Sequence, residues 1–93
     1  MEAITKVFVS VFAEKQIAKL PSYIKESLRD WMEVVQFVGI RYTRQFRGYN
    51  DEPLKGKRRG QRSVRLNRAY RVIYIEINNN LEILIIEVNK HDY

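Results

Sequence analysis

Four side chains in the second half of the chain are of the types that cut a phosphodiester without a metal: Glu52, Arg65, Arg71 and His91. Cleavage of RNA by its own 2′-hydroxyl needs a base to take that proton. It also needs cations to hold the charge on phosphorus, and an acid to protonate the departing 5′-oxygen. A carboxylate, arginines and a histidine fill those roles. Glu52 stands at the mouth of "DEPLKGKRRGQRSVRLNRAYRVIYIE", residues 51–76, beside Asp51 and ahead of a dense basic block. A patch that only gripped a polyanion would gain nothing from carboxylates there, whereas one that also moves a proton would. Composition alone leaves a plainer reading open, in which a loop glutamate and a histidine near the end of the chain are simply solvated.

The distribution of charge favours a polyanion surface. The chain carries a net +6, but residues 41–71 hold eleven Lys or Arg against Asp51 and Glu52, a local net of +9. The remainder is acidic by three charges. Solubility charge is mixed in sign; charge gathered in one stretch is the footprint of nucleic acid or another polyanion. A solvated basic face without function is the alternative. The absence of cysteine and the single histidine remove disulfides, cysteine nucleophiles and His/Cys metal sets, so no metal or other cofactor is expected. The first residues lack a basic leader ahead of a long apolar run, and no window reaches the roughly 20 apolar residues of a membrane span. A cytoplasmic protein with no membrane partner is the expectation.

These residues must be positioned by one small domain covering residues 1–93, long enough for a single two-layer core. Alternation in "ITKVFVSVF", Ile4 to Phe12, reads as a strand, with Val7, Val9 and Val11 on one face. Ile17, Leu20, Ile24, Leu28, Trp31, Val35 and Val38 recur every three or four residues, the stripe of a helical layer. Pro21 divides it into a short helix ending near Leu20 and a longer one, capped by Ser22 and stopped by Gly39. Residues 41–60 read as mostly loop, whose Tyr42, Phe46 and Tyr49 could stack on bases or serve ordinary packing. Three strands follow, Arg62 to Asn67, Tyr70 to Ile77 and Leu81 to Val88, joined by turns at Arg68-Ala69 and Asn78-Asn79-Asn80. Short turns force antiparallel neighbours. The expected fold is α+β: an N-terminal strand, a helical hairpin, then an antiparallel three-strand meander, with the helices on one face of a single sheet. Parity puts Arg65 and Arg71 on the opposite face from Val72 and Tyr74. The edge that the first strand joins is left open.

"DEPLKG", the basic turn, "RSVRLNRAYRVIY", the apolar last strand and the closing "HDY" together resemble the RelE/ParE superfamily of bacterial toxins. The likeness is nearest to its mRNA-cleaving RelE and YoeB-like branch, and the order of elements is similar. The resemblance implies a RelE-like fold and the toxin of a type II toxin–antitoxin system. It implies a ribosome-dependent endoribonuclease that leaves a 2′,3′-cyclic phosphate and a 5′-hydroxyl. It also implies a cognate antitoxin, with the ribosome and mRNA as further partners. By position, the Glu of "EPLK" falls on Glu52 as general base, the strand arginine on Arg71 as phosphate clamp, and the late histidine on His91 as general acid. Tyr93 matches a terminal tyrosine that orients the nucleotide, and Arg65 a further strand arginine. Lys55, Lys57, Arg58, Arg59 and Arg62 would grip RNA. Asp92 departs from the pattern by separating His91 from Tyr93. ParE-type members of the superfamily poison DNA gyrase instead, and a plain RNA-binding module is the remaining alternative.

Overall fold

Alternating side chains build the sheet and a period near 3.6 builds the layer behind it. The computed structural model describes residues 3–90. In chain order the elements are β1 (Lys6–Val9), α1 (Val11–Ala18), α2 (Ser22–Val38), α3 (Ile40–Thr43), β2 (Glu52–Pro53), β3 (Gln61–Arg65), β4 (Tyr70–Ile77) and β5 (Glu82–Lys90). The sheet has five strands in the order β1-β5-β4-β3-β2. β1 runs parallel to β5, and every other neighbour is antiparallel. The expected α+β architecture is therefore present, with a mixed sheet in place of a bare meander.

One face of the sheet carries the core. Val64, Val72, Tyr74, Ile83, Ile85 and Val88 pack against Ala13, Leu20, Ile24, Leu28, Trp31 and Val35 from the helices, with Ile40 closing one end. Trp31 and Tyr74 meet at its centre with ring centroids 5.6 Å apart. No helix among the described residues is long and apolar enough to cross a membrane.

Bounds shift by one or two residues at β3 and β5, and three larger differences from expectation have local reasons. The first strand stops at Val9 because the Ser10 hydroxyl accepts the Ala13 amide at 3.0 Å and caps α1. Val11 and Phe12 therefore lie on a helix. Ser22 is the first residue of α2, and Pro21, whose fixed φ suits the entry to a helix, occupies the cap without a side-chain bond. The stretch 41–60 is less irregular than its composition suggests, holding part of α3, two 3₁₀ turns and the edge strand β2. The two remaining turns form as expected. Asn78, Asn79 and Asn80 all take left-handed φ, and the Asn67 carboxamide accepts the amides of Ala69 and Tyr70 at 2.8 Å each.

Candidate active site on the open sheet face

The face turned away from the helices gathers three of the residues singled out for chemistry, Glu52, Arg65 and Arg71. Arg65 lies directly opposite Arg71 across the β3–β4 ladder, and Arg71 opposite Asn89 on β5. The next row runs Glu52, Ser63, Ile73, Glu87 over four strands. Arg71 is the hub: its Nη1 donates to Ser63 Oγ at 2.9 Å and lies 3.7 Å from Glu52 Oε1. Its side chain is only 16% exposed, while that of Glu52 is 51% exposed. A guanidinium oriented by a buried serine thus stands beside a carboxylate that solvent, or a substrate, can reach.

Two acids that are adjacent in sequence do different things. Strand alternation sends Glu52 to the open face and Asp51 to the core side. The Asp51 side chain is 1% exposed and both its oxygens are taken: Oδ1 accepts Arg62 Nε at 2.7 Å, Oδ2 the Tyr74 hydroxyl at 2.6 Å. The Tyr74 hydroxyl also accepts Arg44 Nε at 3.2 Å, and Arg44 forms an ion pair with Glu76. Burial, together with the Asp51 carboxylate, pushes the Tyr74 phenol far above its ordinary value. Burial works against the charged Arg62 guanidinium, but Asp51 outweighs it and Arg62 titrates above its usual value. Arg62 is thereby committed within the fold, on the opposite side of β3 from Ser63.

The other basic residues lie on the loop between β2 and β3. Lys55, Lys57, Arg58 and Arg59 are exposed there. Arg58 turns back to the open face, donating to Gln61 Oε1 at 2.8 Å and pairing with Glu87 Oε1 at 2.5 Å. Asn89 donates to the same Glu87 carboxylate. His91 and Tyr93 lie outside the described residues. Tyr42 and Phe46 are exposed and meet edge to face at 5.6 Å, whereas Tyr49 is half-buried against the core.

Ser63, Glu87 and Asn89 were not among the residues picked from the sequence. Ser63 could have been found only from the strand register. Glu87 and Asn89 depend on a bulge: Tyr74 pairs with Ile85 but Ile73 with Glu87, so Ile86 is an extra residue. Ile83 and Ile85 face the core, and without the extra residue Glu87 would follow them inward.

No protein-family model and no curated protein matches the sequence. Solved structures do match. The archaeal RelE–RelB complex from Pyrococcus horikoshii superimposes with a TM-score of 0.73 at 19% identity, covering 94% of this chain and 94% of that one. YafQ from E. coli gives 0.73 at 16% identity, over 94% and 93%. The YoeB dimer from Staphylococcus aureus gives 0.70 at 19% identity, over 98% and 100%. Likeness at these identities establishes the architecture: the chain has the RelE-like fold over nearly its whole length.

Proposed function

We propose that the chain is the toxin of a type II toxin–antitoxin pair, an endoribonuclease that cuts mRNA on the ribosome without a metal. The observation that carries this reading is the Glu52–Arg71–Ser63 cluster, a reachable carboxylate beside an oriented guanidinium on the open face of a strongly basic segment. Glu52 takes the proton from a ribose 2′-hydroxyl. The freed 2′-oxygen attacks the adjacent phosphorus and forms the 2′,3′-cyclic phosphate, while the bond from phosphorus to the 5′-oxygen breaks. Arg71, opposed by Arg65, holds the charge that builds on the phosphoryl oxygens. His91 returns a proton to the 5′-oxygen, and Tyr93 orients the nucleotide. Lys55, Lys57 and Arg59 hold the RNA backbone.

Support for an antitoxin partner comes from the RelE–RelB complex, in which the similar chain is bound to RelB. Primer extension on a defined mRNA, with and without ribosomes, tests the reading. Discrete cuts only when ribosomes are present are expected. Intact message under both conditions, with DNA gyrase inhibited instead, would replace this reading with the ParE-type one.

A further inference from the structure

Glu52 occupies an exposed position on the weakest strand of the sheet. β2 has two residues and lies at an edge, where it pairs with β3 alone. A two-residue edge ladder opens readily unless something else holds it. A general base must stay within a fraction of an ångström of its working position, because a misplacement of about 1 Å can cost roughly 100-fold in rate. Something other than the ladder must therefore hold Glu52 in place.

We propose that Asp51 is a positioning residue: its buried carboxylate, clamped by Tyr74 and Arg62, fixes β2 and so sets the Glu52 carboxylate beside Arg71. This rests on the role given to Glu52 above. Consecutive Cα atoms are about 3.8 Å apart across a planar peptide, so a displacement at Asp51 is passed on to its neighbour. Alternation makes the device possible, since the residue that anchors and the residue that acts point to opposite faces. The anchor reaches well into the structure. Asp51 bonds to Tyr74 at 2.6 Å, Tyr74 packs on Trp31 in the core, and Arg44, directly after α3, bonds to the same hydroxyl. A buried carboxylate is costly to desolvate unless fully partnered, and here neither oxygen is left without a donor. An exposed acid at position 51 would solubilise equally well but would hold nothing.

Tyr74→Phe is the first test, since it keeps the ring in the core and the Asp51–Arg62 ion pair while removing one bond to Asp51, together with the bond that Arg44 gives the same hydroxyl. Asp51→Asn is the second and more severe one. Hydrogen exchange on the isolated protein reads the anchor directly through the Leu54 amide, which donates to the Gln61 carbonyl at 2.9 Å just beyond β2. Exchange at Leu54 should quicken several-fold, the scale of one lost hydrogen bond, and by more than exchange at the β4–β5 amides, which reports the change in global stability. Single-turnover cleavage should slow by about tenfold with ribosome affinity unaltered. In a Glu52→Gln background the same Tyr74→Phe change should cost nothing further, because it acts through Glu52. Exchange at Leu54 that quickens no more than that of the β4–β5 amides overturns the proposal, as does a cleavage loss that simply adds to that of Glu52→Gln. A wild-type protein that cuts no RNA would sink the functional reading instead. The exchange comparison would then decide alone whether Asp51 anchors this edge.

Discussion

Arg65 and Arg71 face each other directly on adjacent strands, although like charges in that position repel. Among the described residues, the acid that offsets this pair is Glu52, whose carboxylate lies 3.7 Å from Arg71. A phosphate between the two guanidiniums would relieve the repulsion further. Arg65→Gln should accordingly stabilise the fold by roughly 0.2–1 kcal/mol in denaturant titration while slowing cleavage. Arg71→Ala should slow single-turnover cleavage by about 100-fold or more, as loss of a preorganised transition-state donor does. Arg71→Lys should recover only part, because a point charge cannot donate to Ser63 and to phosphate as a planar fork does. Equal rates for the lysine variant and wild type would remove the fork from the mechanism. At this scale strand parity was legible: Arg65 and Arg71 share the open face, as the alternation of their strands predicts, and Glu52 lies beside Arg71. The sequence was blind to the division of labour between Asp51 and Glu52, which depends on what each carboxylate meets across the sheet.

Among the elements, the junction between α2 and α3 is tightly constrained. Gly39 has φ of +90°, and a Cβ built there would stand 2.8 Å from Ile4 Cγ2. Thr5 reinforces the corner, its hydroxyl accepting the Ile40 amide and donating to the Asn80 carbonyl, both at 3.0 Å. Gly39→Ala should therefore destabilise the protein by about 1–3 kcal/mol, the usual cost of a side chain in strained backbone. Denaturant unfolding followed by the fluorescence of the buried Trp31 measures it. Long regular elements were legible: the alternation of Tyr70 to Ile77 gave β4 its bounds, and the apolar stripe gave α2. Short ones were not. β2 has no period of its own and exists only through its register with Ser63 and Arg62. Val11 and Phe12 look strand-forming by residue type, and the Ser10 cap that turns them into a helix outweighs that propensity. The bulge at Ile86, which brings Glu87 and Asn89 to the open face, is hard to see in the residue pattern because the extra residue is a second isoleucine directly after Ile85.

For the whole molecule, charge and burial make separate predictions. Lys55, Lys57 and Arg59 are exposed, and among the described residues they have no acidic partner, unlike Arg58 and Arg62. Replacing all three with Gln should lower the slope of log affinity against log salt by about two, at roughly 0.7 per contact on single-stranded RNA. An unchanged slope would place the RNA elsewhere. The basic segment was visible in the sequence as a total, but which cations stay available could be read only from their partners. Tyr74, buried and bonded to Asp51, has its phenol raised well above the ordinary value of 10.0. Tyr49 is raised as well, by burial and then by Asp30. A raised folded-state value means that the native protein holds these protons more tightly than the unfolded chain. Their contribution is complete below about pH 10 and is lost as pH climbs through the folded values. Stability should fall on alkaline titration, with phenolate absorbance from Tyr74 emerging only as the protein unfolds. The Tyr74→Phe variant should lack that part of the alkaline loss.

The central claim is that Glu52 removes the ribose proton beside Arg71. Single-turnover cleavage of ribosome-bound mRNA by wild type and by Glu52→Gln, with the chemistry of the new RNA ends determined, tests it most directly. The wild type should leave a 2′,3′-cyclic phosphate and a 5′-hydroxyl. Glu52→Gln should bind ribosomes as tightly and cut at least about 100-fold more slowly, the lower end of what a general base contributes. A Glu52→Gln protein that cuts at the wild-type rate, or wild-type products ending in a 3′-hydroxyl and a 5′-phosphate, would contradict it.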